Sequence, residues 1–362
     1  MLRAAQFLHR YLRPRSDNVG AEVLLETENG ERRATCYAPP GRGRHPGWIV
    51  LHGITTAGRH HPSLVRFARA AAAAGRVVLV PEVPSWRALE IDVEAARAAI
   101  EAGARHLSGR PEVEGGRIGV VGFSFGATHA LIAAADPTLR ARIGGVIGFG
   151  GYADLRSAFR FGLSGRHRWR GREHRLRPDP YGIWIVTANY LPHARGYEGL
   201  TGVARAAGEM AREAGRRMTY AGGAEYDPLK VELARQLTAE EREVWRSIAP
   251  LASEPLPAPE ETLPLADALA EAALTVQPEL DPASRVGKVR ARVVLGHGFS
   301  DRLIPFSESH RLAALLPASR TAEPTITRYL AHSGEDESLS GPRRAVEAVR
   351  FVRLVDRALT VV

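Results

Sequence analysis

The pentapeptide Gly122-Phe123-Ser124-Phe125-Gly126 puts a serine between two glycines, directly after the apolar run Arg117–Val121 and before the alanine-rich run Phe125–Ala135. A serine hydroxyl is a weak nucleophile. It becomes effective only beside a base that takes its proton, an acid that orients the base, and donors for the developing oxyanion. The G-x-S-x-G spacing suits this chemistry because a sharp strand-to-helix turn strains the serine backbone, and glycines two positions away let neighbouring segments approach. The hydroxyl then projects near a helix N-terminus, where unpaired N–H groups favour negative charge. The plain alternative is a glycine turn between strand and helix, so the surrounding elements must decide.

Those elements alternate. Ala21–Glu28 and Arg32–Ala38 read as a hairpin joined at Asn29-Gly30, a strong two-residue turn signal. Trp48–His52 is an apolar run of the kind buried on both sheet faces. A helix over Pro62–Ala74, a strand over Arg76–Val80 and a long helix over Leu89–Leu107 follow, with Glu90, Asp92 and Glu94 expected in that helix's first turns. After the Ser124 segment comes a strand at Ile143–Phe149. The alternation then stops for about 140 residues and resumes with strand Arg292–Leu295, helix Phe306–Leu316, strand Thr325–Leu330 and helix Pro342–Leu359. Such alternation implies parallel strands with helical crossovers on both faces.

Composition excludes several classes. The chain has 362 residues, 44% of them apolar, and one cysteine, Cys36, so neither an intrachain disulfide nor a cysteine zinc site can form. No apolar run is long enough to span a bilayer, and MLRAAQFLHRYLRPR lacks the apolar core of a signal peptide; a cytoplasmic location is expected. The net charge of +9 is concentrated in residues 1–15 (+4) and 156–177 (+7), and only two basic residues outside arginine are lysines, Lys230 and Lys288. With no recognisable nucleic-acid module, arginine-rich codon usage is the simpler reading, and no nucleic-acid partner is expected. Residues 252–282 carry −7, so the two segments are expected to pair with each other.

The sequence resembles an α/β-hydrolase from about residue 21 to the C-terminus, and most resembles the dienelactone-hydrolase-like and esterase-like branches. The resemblance implies a mostly parallel eight-stranded sheet with helices on both faces. The core is residues 21–154 and 286–362, with an inserted, mainly helical cap at 155–285 and a basic amphipathic segment at 1–20. It also implies a triad in the chain order serine, acid, histidine. Val293–Pro305 (VVLGHGFSDRLIP) resembles the family's strand-HG-D-P signature, which gives Asp301 the acid position, with Asp154 as the rival. Ala331-His332-Ser333-Gly334-Glu335 follows the last strand, and His332, 31 residues beyond Asp301, takes the base position. The His52-Gly53 pair after the third strand matches the family's oxyanion loop, assigning the backbone N–H of Ile54 and that of Phe125 to the oxyanion hole. The loop lacks an HGGG run, so the lipase branch is not the nearest.

The resemblance implies a serine hydrolase that cleaves a carboxylic ester through an acyl-enzyme, with no metal or organic cofactor and a small-molecule ester substrate. An acyltransferase, a thioesterase or a peptidase would use the same triad, although the chain is too short for a prolyl-oligopeptidase propeller. A non-catalytic hydrolase-like binding protein is the reading from another class. Phe123, Trp169, Trp184 and Tyr190 are candidates for the substrate pocket, and the arginines of 156–177 could instead receive an acidic substrate. His129 is expected on the surface of its helix, His297 to shape the acid loop, and His60-His61 to be surface residues without a third metal ligand. The Leu2–Leu12 segment is expected to pack on the domain, with contact to anionic lipid left open.

Overall fold

The structure, a computed structural model, describes residues 2–14, 18–28, 30–41, 43–321, 323–330 and 341–362. Helix α1 (Leu2–Leu12) precedes the hairpin β1 (Ala21–Thr27) and β2 (Gly30–Tyr37). The pairing Thr27↔Gly30 closes that hairpin; Asn29 of the expected turn lies outside the described residues. Next come β3 (Gly47–Leu51), α2 (Pro62–Ala73), β4 (Val77–Pro81), the short α3 (Pro84–Arg87), α4 (Val93–Ser108), β5 (Ile118–Phe123), α5 (Phe125–Ala135) and β6 (Ile143–Phe149). All five residues of β3 and all five of β4 are buried, which explains their unbroken apolar runs.

The expected Leu89–Leu107 helix is shorter than its pattern suggested. Leu89 sits at φ 66, a left-handed conformation that breaks a helix for a non-glycine residue. The helix starts at Val93 instead, with Asp92 as its N-cap accepting from the Ala95 N–H at 3.1 Å. Asp92 therefore serves as the cap, and Glu94 is the acid of the first turn.

Between β6 and the next core strand lies a helical excursion, called the cap below. It contains α6 (Leu155–Ser164), a hairpin of β7 (Arg166–Trp169) and β8 (Arg172–Arg175), α7 (Tyr181–Tyr190), α8 (Thr201–Arg217), α9 (Asp227–Arg235), α10 (Ala239–Ile248) and α11 (Pro259–Val276). Its apolar residues, among them the fully buried Trp184, Met210, Tyr226 and Leu269, form one cluster together with Leu89, Ile91 and Tyr152 of the core. The chain returns through β9 (Arg292–Gly298), α12 (Ser307–Leu315), β10 (Thr325–Thr327) and α13 (Gly341–Leu359).

The eight-stranded sheet has the order β1-β2-β4-β3-β5-β6-β9-β10. Strands β1/β2 and β2/β4 pair antiparallel, and every other neighbouring pair is parallel. The carboxyl ends of β3, β5, β6 and β9 thus point to one edge, where open α/β sheets bind ligands. Helix α1 packs on α2 and α13. Its Ala4 and Phe7 are buried, and Phe7 meets the Phe67 ring edge-on at 5.4 Å. Ala4 and Phe7 are used in this packing, while Leu2 and Leu12 at the two ends of the helix stay exposed.

Between the +7 and −7 segments, Arg160 meets Asp267 in a two-pronged pair, Nε to Oδ1 at 2.7 Å and Nη2 to Oδ2 at 2.6 Å. Arg177 reaches the acidic arm differently, donating to the carbonyls of Leu251 and Glu254. Arg170 turns away to Glu323, and Arg175 pairs within its own hairpin with Glu173. The expected charge pairing therefore occurs at one well-formed contact and is not the general fate of the arginines.

Candidate active site

Strand β5 ends at Phe123 and α5 begins at Phe125, leaving Ser124 alone in the turn at φ 54, ψ −125. This conformation is costly for a residue with a Cβ. It is held from both sides: the Ser124 N–H donates to the Phe149 carbonyl at 2.7 Å, and its carbonyl accepts from the Ala127 N–H at 2.9 Å. A Cβ on Gly122 would lie 2.1 Å from the Gly126 oxygen, and one on Gly126 would lie 2.7 Å from the His52 oxygen. Both glycines are required by the close approach of backbone to backbone, which no side chain survives.

The loop after β3 comes up beside the serine. A Cβ on Gly53 would stand 3.2 Å from the Ser124 Cβ and 3.7 Å from its Oγ. His52 is buried at 1% exposure and fixes this loop. Its Nε2 accepts from the Val83 N–H at 3.2 Å, which leaves Nδ1 to donate to the Gly53 carbonyl at 2.7 Å. That carbonyl and the Ile54 N–H belong to one trans peptide. Anchoring the carbonyl on His52 turns the Ile54 N–H the opposite way. Among the described residues, neither the Ile54 nor the Phe125 amide N–H has an acceptor. Behind His52, the buried Glu82 faces the buried Arg59 at 3.4 Å.

The loop after β9 presents Asp301, which is 3% exposed. Its Oδ1 accepts from the N–H groups of Leu303 (2.9 Å) and Ile304 (3.0 Å). His297, completely buried at the end of β9, braces the same loop. Its Nε2 lies 2.9 Å from the Ile304 carbonyl and 3.3 Å from Asp301 Oδ2, while Nδ1 meets Ser309 Oγ at 2.7 Å. His332 lies outside the described residues. The rival acid, Asp154, is exposed and caps α6, its carboxylate accepting from the Arg156 N–H at 2.9 Å.

Ser124, Asp301, His52 and Gly53 border one cavity of about 380 Å³, within the usual size for a small-molecule site. The cap forms its roof through Tyr181, Ile185 and Tyr190. Phe123 and Tyr190 are on the wall; Trp169 and Trp184 are not. Trp184 is buried in the cap core with its Nε1–H on the Ile248 carbonyl at 2.9 Å. Trp169 stacks on His310 at 4.1 Å. Both were pocket candidates by type, and both serve packing. Among the described residues the buried Tyr190 hydroxyl has no hydrogen-bond partner, and burial raises its pKa above the ordinary phenol range. Among the described residues no lysine or arginine borders the cavity, so the 156–177 arginines do not line it.

His129 corrects another expectation. It is 2% exposed, because α5 is apolar nearly all round and is enclosed. Burial, with a smaller contribution from Arg285, pushes its pKa down to about 3. The Tyr152 hydroxyl donates to the Leu280 carbonyl at 2.9 Å, so His129 Nε2–H is the donor in the 3.2 Å contact with Tyr152. Of the His60-His61 pair, His60 is exposed and His61 borders the cavity; among the described residues no three potential ligands converge on a metal position. Sequence reasoning missed Tyr181 and Tyr152. Tyr181 had one signal, the Asp179-Pro180 helix start that precedes it.

Solved structures share this architecture. The crystal structure of 2,6-dihydroxy-pseudo-oxynicotine hydrolase aligns with a TM-score of 0.52 at 15% identity, over 99% of this chain and 73% of that one. Acylaminoacyl peptidase from Pyrococcus horikoshii aligns at 0.50 and 11% identity, over 94% of this chain and 41% of that one. Acylaminoacyl peptidase in complex with a chloromethyl ketone aligns at 0.51 and 13%. The chain has the α/β-hydrolase fold. No family model matches the sequence, and no curated protein does. Within the α/β-hydrolase frame, Ser124 stands at the end of β5, the His52-Gly53 loop at the end of β3 and Asp301 beyond β9. Among the described residues, no helix is long and apolar enough to cross a membrane.

Proposed function

We propose that the chain is a serine hydrolase acting on a neutral carboxylic ester, with Ser124 as nucleophile, His332 as base and Asp301 as the acid that orients it. The observation carrying this reading is the strained Ser124 turn, opening into the same cavity as Asp301 and the His52-Gly53 loop. His332 takes the Ser124 proton as Oγ attacks the carbonyl carbon. The tetrahedral oxyanion rests on the Ile54 and Phe125 amides, each donor of this kind contributing roughly 3–4 kcal/mol. Collapse breaks the ester C–O bond and His332 passes the proton to the leaving alkoxide. Water then gives a proton to His332 and attacks the acyl carbon, and the acid leaves as Ser124 regains its proton.

A neutral substrate is favoured by the absence of lysine and arginine around the cavity among the described residues and by the acidic Asp179 and Asp301 on its border. Two measurements test the reading together. A fluorophosphonate should label the native protein at Ser124 and leave Ser124→Ala unlabelled. Neutral 4-nitrophenyl esters should turn over at least tenfold faster, as kcat/KM, than hemisuccinate esters bearing a free carboxylate. A folded native protein that resists the label defeats the serine mechanism, and a preference for the hemisuccinate defeats the neutral-ester assignment.

A further inference from the structure

The start of α7 touches both loops to which the proposed reaction gives a role. The Tyr181 hydroxyl donates to the Ile54 carbonyl at 3.3 Å. Asp179, two residues earlier and 5% exposed, accepts from the Tyr181 N–H at 3.1 Å and from the Ala221 N–H at 3.3 Å. Its own N–H donates to the Arg302 carbonyl at 2.8 Å, the residue next to Asp301. Arg302 places its guanidinium 4.6 Å from the centre of the Tyr220 ring, and the Tyr220 hydroxyl donates to the Pro178 carbonyl. Gly182 abuts the Leu303 side chain, which a Cβ there would meet at 3.3 Å. One helical turn of the cap is thus tied to the oxyanion loop on one side and the acid loop on the other.

We propose that Tyr181 is a positioning residue for the oxyanion site, so that the seating of the cap helps to set the geometry around Ser124. Residue 54 is gripped through both of its peptides. His52 holds the Gly53 carbonyl from the core and thereby aims the Ile54 N–H. Tyr181 holds the Ile54 carbonyl from the cap and limits rotation of the loop beyond it. A 3.3 Å contact is long for O–H···O, which leaves it room to shorten when a tetrahedral oxygen fills the site. The contribution of Tyr181 therefore falls in the transition state more than in substrate binding. The proposal rests on the serine-hydrolase reading, and fluorophosphonate labelling of the native protein separates the two.

The test compares native protein with Tyr181→Phe, which keeps the ring and deletes the hydroxyl. With 4-nitrophenyl butyrate, kcat should fall about tenfold while KM stays within twofold, the signature of an interaction made only in the transition state. Inhibition by a trifluoromethyl ketone, whose Ser124 adduct mimics the tetrahedral intermediate, should weaken by the same factor. A native protein that labels, with kcat unchanged in the variant or with loss confined to KM, overturns the positioning role. A native protein that does not label takes the functional reading down, and this proposal with it. Should the variant not fold, hydrogen exchange on the native protein decides. The ketone should protect the amides of 53–56 together with those of Asp179, Tyr181 and Gly182, and protection of 53–56 alone overturns the coupling.

Discussion

Ser124 holds a backbone conformation that its side chain disfavours, and the strain is local enough to measure. At φ 54, ψ −125 a serine or an alanine costs on the order of 1–3 kcal/mol relative to relaxed backbone, whereas glycine adopts the region freely. Ser124→Gly should therefore be more stable than native protein by about 1 kcal/mol after its greater unfolded-state entropy is subtracted. Ser124→Ala, which removes the same hydroxyl, should show no such gain. Denaturant midpoints of the three proteins decide this, and a glycine variant no more stable than the alanine one would place the strain elsewhere. The position of this serine was legible because glycines at 122 and 126 answer to backbone contacts that tolerate nothing larger. The tryptophans were not legible in the same way. Trp169 and Trp184 have the chemistry of a pocket wall, but which face of a cap helix or hairpin they occupy depends on partners distant in sequence, His310 and Ile248.

At the scale of elements, the strands were the readable part. Runs such as β3 and β4 are buried on both faces and announce themselves. Helix boundaries were harder: the apolar spacing begins at Leu89, which is itself left-handed, and the pattern does not register that the helix starts only after the Asp92 cap. The misplacement of His129 has a related cause. A helix apolar on every side has no polar face to identify, so its single histidine looked exposed and is enclosed. The contact between basic and acidic cap segments also rewards caution. Arg160 and Asp267 form a well-aligned pair, yet their side chains remain 43% and 31% exposed, and such pairs contribute roughly 0–1 kcal/mol. Asp267→Asn should lower stability by less than about 1 kcal/mol, with the difference shrinking in 1 M salt. A larger, salt-insensitive loss in a urea titration would mean that this pair anchors α6 to α11 by more than surface attraction.

For the molecule as a whole, the buried His129 and the half-buried His167 set a direction for stability against pH. Burial drives His129 to about 3 and, with the neighbouring His174 adding to the effect, His167 to about 4. Both lie below the value of about 6.5 for an exposed imidazole. Through the interval from about 6.5 downward the unfolded chain binds protons that the folded chain refuses, so folding stability rises with pH there and is lost as the solution is acidified. The loss should continue until the pH passes about 4 for His167 and about 3 for His129. Replacing His129 by Gln, which retains a donor for Tyr152, should flatten the decline between pH 6.5 and 4 when unfolding free energies are compared by urea titration. An equally steep decline would remove His129 from the account.

The border of the cavity has a bearing on what happens after the bond is cut. An ester that enters uncharged yields an acid, which ionises at neutral pH, in a chamber bordered by Asp179 and Asp301 and by no lysine or arginine among the described residues. Like charges at close range in a poorly solvated space repel. The described lysines and arginines of this +9 protein lie elsewhere, so on the proposed reaction the fragment left behind is electrostatically discouraged from staying. A border without lysine or arginine among the described residues gives the product acid no such partner to hold it.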